Sequence, residues 1–208
     1  MVMKLTKSGI AILLSKLHQF RLPKFVDEQY ETDSEIASTI LWNAFMAGHV
    51  DEKVVADLGA GPGILGIGGG LLGACKVYFV EKDERVIDIL KQNIETTRKD
   101  LANFPFEVIF DDIRNFRTKV DTVFQNPPFG VKRRHADRIF LEKAFEIADV
   151  VYSLHKSEST EFLQKFAEQH GFQLVSEQKF SFPLKNTMKY HTSRIKRIGV
   201  SCYTFKRK

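Results

Sequence analysis

Asn126-Pro127-Pro128-Phe129 follows the apolar run Thr122-Val123-Phe124 and reads as the loop at the carboxyl end of a strand. In open α/β sheets ligands bind at that end. Each proline fixes its own φ and lacks a backbone donor, so the loop is stiff and rich in carbonyl acceptors. Asn126 adds a side-chain acceptor and two donors, and Phe129 adds a flat apolar face. Such a loop could hold a planar amino group, of a nucleobase or an amide, between two acceptors and stack its plane on the ring. By itself the tetrapeptide also reads as a proline-stiffened turn. The residues upstream weigh against that plainer reading.

Val54-Val55-Ala56-Asp57-Leu58-Gly59-Ala60-Gly61-Pro62-Gly63 is an apolar strand that ends in an acid and turns through glycines into Ile64-Leu65-Gly66-Ile67. Glycines at alternate positions let the backbone pass close to a ligand with no Cβ in the way. The pattern is neither the G-x-G-x-x-G of dinucleotide folds nor a phosphate loop, which needs Gly-Lys-Ser/Thr. An acid beside the glycines suits a cation better than a phosphate. S-adenosylmethionine, with its sulfonium and ammonium, is such a ligand, and Asp57 could act on it through water or by ordering the loop. The next apolar run, Lys76–Val80, ends at Glu81, placed to accept ribose hydroxyls as an acid about 20 residues on does in related nucleoside-binding sheets. Val108-Ile109-Phe110 ends in Asp111-Asp112-Ile113. There Asp112 could accept from an adenine amine while the Ile113 N–H donates to the ring. Each acid could instead cap a helix, and Asp83 reads as that cap for a helix over Glu84–Lys99. Four strands ending in Asp57, Glu81, Asp112 and Asn126 are hard to explain as caps alone.

The elements that must position these residues alternate along the chain. Leu5–Phe20 reads as an amphipathic helix with Ile10, Leu13, Leu14 and Leu17 on one face. Thr32-x-x-Glu35 matches a capping box opening a helix over Ile36–Ala47, which puts Gln29 and Thr32 in the turn before it. Strands and helices then begin in turn near Val54, Ile64, Val77, Glu84, Val108, Thr122, Ile139, Val151 and Glu158. That order predicts a parallel sheet with helices on both faces. Phe172–Phe182 and Arg194–Phe205 read as two strands with no helix between them, a terminal antiparallel hairpin around a long loop over Pro183–Thr192. No repeat or domain-splitting linker is visible. The reading is one domain over 1–208, with a helical lead-in over 1–50 and a basic strand region over 178–208.

Four segments carry a resemblance to a known class: Asp27-Glu28-Gln29-Tyr30-Glu31-Thr32, Val54-Val55-Ala56-Asp57-Leu58-Gly59, Asn126-Pro127-Pro128-Phe129-Gly130 and Val151-Tyr152-Ser153-Leu154-His155-Lys156. From about Asp27 to its end the chain resembles the Rossmann-like class I S-adenosylmethionine-dependent methyltransferases with an N-P-P-F/Y loop. Within that class it is most similar to the ribosomal RNA adenine-N6 methyltransferases related to methyltransferase-like protein five. The resemblance implies an α/β fold with a mostly parallel seven-stranded sheet, helices on both faces and a C-terminal antiparallel hairpin. It implies methyl transfer to the N6 amine of an adenine, in small-subunit ribosomal RNA. It places Gln29 and Thr32 at the cofactor, with Asp57, Gly59, Gly61, Glu81, Asp112 and Ile113, and gives Asn126, Pro127, Pro128 and Phe129 the catalytic positions. The spacing between Tyr30 and Thr32 is one residue shorter than in the family, Glu81 stands where Asp is frequent, and Ala60 and Pro62 stand where Cys is frequent. Relatives often require a small zinc-binding activator protein that adds a strand to the sheet edge.

Composition agrees with an enzyme domain that binds RNA. The chain has 208 residues, 43% of them hydrophobic, and its 18 Phe against one Trp predict a phenylalanine-rich core. Cys75 and Cys202 are far apart in sequence and outside any metal spacing, and read as free buried thiols in a reducing compartment such as the cytoplasm. The six histidines form no ligand cluster, so no metal is expected. No apolar run approaches the length of a membrane span, and Gly9–Leu14 is too short for a signal-peptide core. Net charge is +5, unevenly placed: from Gln178 onward there are nine Lys or Arg and no acid, which leaves 22 basic against 26 acidic residues before it. A one-sided basic surface is the footprint of nucleic-acid binding. Lys189, Arg194, Lys196 and Arg197 in this region, and Lys132, Arg133 and Arg134 just beyond Phe129, are the candidate RNA contacts. A solvated strand pair with charged edges is the plainer alternative. Three other functions fit the same loop: glutamine-N5 methylation of a protein, guanine-N2 methylation of RNA, and a silent RNA-binding module.

Overall fold

The computed structural model of the chain describes residues 6–18, 32–100, 104–128, 136–184 and 196–208. In chain order the elements are α1 (Lys7–Leu14), α2 (Ser34–Met46), β1 (Val54–Leu58), α3 (Ile64–Leu71), β2 (Lys76–Glu81), α4 (Glu84–Asp100), β3 (Phe106–Phe110), β4 (Val120–Gln125), α5 (Ala136–Ile147), β5 (Ala148–Lys156), α6 (Thr160–Gln169), β6 (Phe172–Leu184) and β7 (Lys196–Arg207). Short 3₁₀ turns follow β3, at Ile113–Asn115, and β5, at Ser157–Ser159. The strands form one sheet in the order β3-β2-β1-β4-β5-β7-β6. β1 to β5 pair in parallel, and β7 runs antiparallel between β5 and β6. This is the predicted architecture, including the terminal hairpin.

Strands covered on both faces read as near-continuous apolar runs, and β1 does so apart from Asp57. Because side chains alternate across a strand, the sheet divides two cores. On one face Val55, Val77, Phe79 and Phe124 pack with α1, α2, α3 and α4. On the other Ala56, Leu58, Val80, Val123 and Phe205 pack with α5 and α6. Phenylalanines contribute to both cores, and in the second Phe145 stacks on Phe172 at 4.3 Å between centroids.

Several local expectations change. The helix predicted over Leu5–Phe20 stops at Leu14, although Leu17 still packs in the core through a turn bonded to Leu14. The cap of α2 is Asp33, whose carboxylate accepts from the N–H groups of Glu35 and Ile36. The capping box on Thr32 does not form, because the Thr32 hydroxyl is taken by Asn126. Cys202 is buried as expected, but Cys75 is exposed, lying in the turn between α3 and β2. β6 runs to Leu184 and β7 to Arg207, each two residues beyond its predicted end. The rest of the predicted Pro183–Thr192 loop lies outside the described residues.

α3 lies close to its neighbours because glycine leaves room on it. A Cβ on Gly70 would meet the Phe104 ring at 2.6 Å, whereas one on Gly69 would find nothing nearer than Val55 at 3.6 Å. Gly70→Ala should therefore cost about 1–3 kcal/mol through overpacking and lower Tm by several degrees. Gly69→Ala should raise stability by about 0.5–1 kcal/mol, the usual gain for alanine in a helix. Thermal unfolding of the two variants side by side checks both signs.

Candidate active site

The carboxyl ends of β3, β2, β1 and β4 lie side by side, so the sheet order brings Asp112, Glu81, Asp57 and Asn126 to one rim. The registers Leu58↔Val80 and Leu58↔Gln125 set the three central ends level. Between β1 and α3 the chain passes through Gly59, Gly61 and Gly63 at φ of 67°, 55° and 91°, a left-handed run that favours glycine. Neighbouring groups hold this loop. The N–H groups of Gly59 and Ala60 donate to Val80 O, and Asn93 on α4 donates its amide to Pro62 O at 2.9 Å.

The two nearest acids also serve the loop. Asp57 is 2% exposed and its Oδ2 accepts from the Gly66 N–H at 2.7 Å. It orders the glycine turn and the start of α3. Glu81 accepts from Gly61 N on Oε2 and from Lys82 N and Asp83 N on Oε1, each at 2.8 Å. A carboxylate has about four acceptor positions, so Glu81 is rigidly oriented and keeps roughly one for a ribose hydroxyl. Asp112 caps the turn at Ile113–Asn115, accepts from the Arg114 guanidinium and pairs with Lys82 Nζ at 3.1 Å. Those cations, Arg114 foremost, hold its carboxyl well below the usual carboxylate range. The cap reading of Asp112 is thus realised, and an adenine amine would share that carboxylate with Lys82 and Arg114. The Ile113 N–H opens the 3₁₀ turn, where first N–H groups lack intrahelical partners, as a donor to a purine ring requires. Asp83 accepts from Arg85 N at 3.2 Å and caps α4.

At the end of β4, Gln125 and Pro127 are buried, and Asn126 and Pro128 are half-buried. Asn126 Nδ2 donates to Thr32 Oγ1 at 3.0 Å, and Thr32 is 5% exposed. Thr32 was expected at the cofactor; the contact seen here is to the catalytic candidate. Gln29, Phe129, Lys132, Arg133, Arg134, Lys189 and Arg194 lie outside the described residues. Lys196 and Arg197 are paired through their backbones with Leu184 and Pro183 in the hairpin. Of the other basic tail residues, Arg207 is committed to the fold: it pairs with Asp149 and donates to the carbonyls of Phe145 and Ala148. Sequence reasoning missed Asn93, whose only signal is a polar residue beside Leu90 and Ile94 on the apolar stripe of α4. Among the described residues no group of three or more His, Cys, Asp or Glu is placed to hold a metal, and no helix is long and apolar enough to cross a membrane.

Residues 34–181 match the family described as conserved hypothetical protein 95. The rRNA N(6)-adenosine-methyltransferase METTL5 of Danio rerio is 33% identical over 201 residues, 92% of this chain and 94% of that one. The chain belongs to this family of S-adenosylmethionine-dependent RNA methyltransferases. A crystal structure of a candidate RNA methyltransferase from Pyrococcus horikoshii superposes with a TM-score of 0.86 at 43% identity, covering 97% of this chain and 98% of that one. Magnesium protoporphyrin IX methyltransferase of Synechocystis with bound cofactor superposes with a TM-score of 0.65 at 15% identity, covering 95% and 90%; that likeness concerns the fold. The residues of this methyltransferase fit its cofactor: the loop from Gly59 to Gly63 presents backbone rather than bulky side chains, and a fixed carboxylate stands at its edge.

Burial pushes the Asp57 carboxyl up to about 8, opposed by the Gly66 N–H and reinforced by Glu81. In the unfolded chain an aspartate ionises near ~4. Between those values the folded chain keeps a proton that the unfolded chain has lost, so stability falls as pH rises through that window. Asp57→Asn keeps an acceptor for Gly66 and should flatten the decline. Tm measured from pH 5 to 8 should drop in the parent chain and change much less in the variant; equal declines would place the ionisation elsewhere.

Proposed function

We propose that this RNA methyltransferase modifies the exocyclic N6 of an adenine in small-subunit ribosomal RNA. The observation that carries the reading is the amide of Asn126. Its Nδ2 donates to Thr32 Oγ1, and its Oδ1 is the acceptor proposed for a substrate amine. The Pro127 carbonyl is the second acceptor. The adenine amine is a weak nucleophile because its lone pair is delocalised into the ring. Accepting both of its N–H bonds favours a pyramidal nitrogen with the lone pair directed outward. Bound S-adenosylmethionine supplies the methyl group as an electrophile on sulfur. The amine gains an N–C bond and then loses a proton to solvent, so no strong base is required of the chain. Catalysis rests on positioning and electrostatics.

Phe129 is the proposed stacking platform. Lys132, Arg133, Arg134, Lys189, Arg194, Lys196 and Arg197 are the proposed contacts to RNA phosphates. The curated relatives named as rRNA adenosine methyltransferases, in Danio rerio, Drosophila melanogaster and Caenorhabditis elegans, support the base and the RNA class. Neither the fold nor these relatives add support for a zinc-binding activator.

Asn126→Ala should lower kcat by more than about a hundredfold, the scale of losing an aligned acceptor at the reacting atom, with the affinity for S-adenosylmethionine nearly unchanged. Labelled methyl transfer to total RNA and total protein of the source cells, followed by nucleoside analysis, tests the substrate. Label in N6-methyladenosine of small-subunit RNA is the expected result. Label in N2-methylguanosine would correct the base, and label confined to protein would overturn the reading.

A further inference from the structure

The run Tyr152-Ser153-Leu154-His155-Lys156 on β5 has no role in the chemistry described so far. Tyr152 and Leu154 pack in the core beneath α1 to α4. Ser153 and His155 alternate onto the other face and are 0% and 2% exposed. In register, Ser153 lies opposite Gln125 on β4. Gln125 Nε2 donates to Ser153 Oγ at 2.9 Å, and Ser153 Oγ lies 2.7 Å from His155 Nε2. An amide nitrogen only donates, so the serine oxygen accepts from Gln125; that oxygen can accept twice, so the direction of its bond with His155 Nε2 follows the imidazole tautomer. The other ring nitrogen, Nδ1, faces Asp137 Oδ2 at 4.0 Å in the first turn of α5. Burial keeps this imidazole neutral, with its pKa brought down to about 3.

In connectivity this is a serine–histidine–aspartate series, yet it is no nucleophile. Ser153 is sealed from solvent, and 4.0 Å is beyond hydrogen-bond reach. The hydrogen bonds connect His155 through Ser153 to Gln125, the residue immediately before Asn126. Gln125 Oε1 is the one buried side-chain polar atom among the described residues without a hydrogen-bond partner. Burying an unpaired carbonyl is unfavourable, and a methionine of similar length would avoid it, so packing alone does not account for the amide.

We infer that Ser153 and His155 are positioning residues for methyl transfer, acting through Gln125 to fix the end of β4 and with it the direction of the Asn126 amide. The inference rests on the acceptor role of Asn126 proposed above. Consecutive residues are then each held by a hydroxyl from a different element: Gln125 by Ser153 of β5, and Asn126 by Thr32 of the segment entering α2. Displacing reacting groups by about 1 Å can cost on the order of a hundredfold in rate, so a loose anchor one residue away matters.

The test compares Gln125→Met, His155→Leu, the double variant and His155→Gln in methyl transfer to total RNA, with Tm and S-adenosylmethionine affinity recorded for each. Each single variant should lose about tenfold or more in kcat with cofactor affinity unchanged. The double variant should be no worse than the poorer single one. His155→Gln, whose amide can donate to or accept from Ser153 in place of Nε2, should recover most of the rate. Gln125→Met should keep or raise Tm, so it carries the test even if His155→Leu folds poorly. Full rate in Gln125→Met while Asn126→Ala is inactive would overturn the inference and leave the site reading intact, as would losses that multiply in the double variant. Activity retained by Asn126→Ala would overturn both.

Discussion

The loop between β1 and α3 carries few side chains that could satisfy its own backbone, and the site depends on how that need is met. In this turn with three left-handed glycines the N–H groups are bonded within the protein: Val80 O takes those of Gly59 and Ala60, Glu81 that of Gly61 and Ala60 O that of Gly63. Two carboxylates from adjacent parallel strands take two of the donors: Asp57 holds Gly66, and Glu81 holds Gly61. The strands must therefore be neighbours and level at their carboxyl ends, which the parallel β2-β1-β4 order provides. α3 must also lie close to the sheet, and its glycines permit that.

The acids at the rim divide their work by burial. Asp57, sealed beneath the loop, organises backbone and is pushed toward its neutral form. Glu81, at the edge, is fixed by three N–H groups and keeps limited capacity for a ligand. Asp112, more open, is neutralised by Arg114 and Lys82 and caps a turn. One chemical type thus takes three states through differences in solvent access and neighbouring charge.

At β4 the hydroxyls of Thr32 and Ser153 hold consecutive amides. A short polar loop built on prolines has few backbone donors with which to anchor itself, so its orientation must come from side chains on other elements. β5 supplies one anchor through a buried polar run, and the segment leading into α2 supplies the other. This arrangement joins three parts of the chain that are distant in sequence around the Asn126 amide, the proposed acceptor for a substrate amine.

Much of this was legible in the sequence. Short apolar runs, each closed by an acid or an amide and alternating with helices, announced a parallel sheet. The glycine spacing announced a left-handed turn after β1, and the Asn-Pro-Pro run announced a loop at the carboxyl end of β4. These are local properties, written in neighbouring residues. Contacts between residues distant in sequence were decided by the tertiary structure. It moved the α2 cap from Thr32 to Asp33 because Thr32 faces Asn126. It spent Asp112 on Arg114 and Lys82, and Arg207 on Asp149 and two carbonyls. It brought Gln125, Ser153 and His155 into one hydrogen-bonded chain. A polar side chain in a sequence states what it can donate or accept. Which partner satisfies it depends on burial and strand register, and these exist only once the sheet has closed.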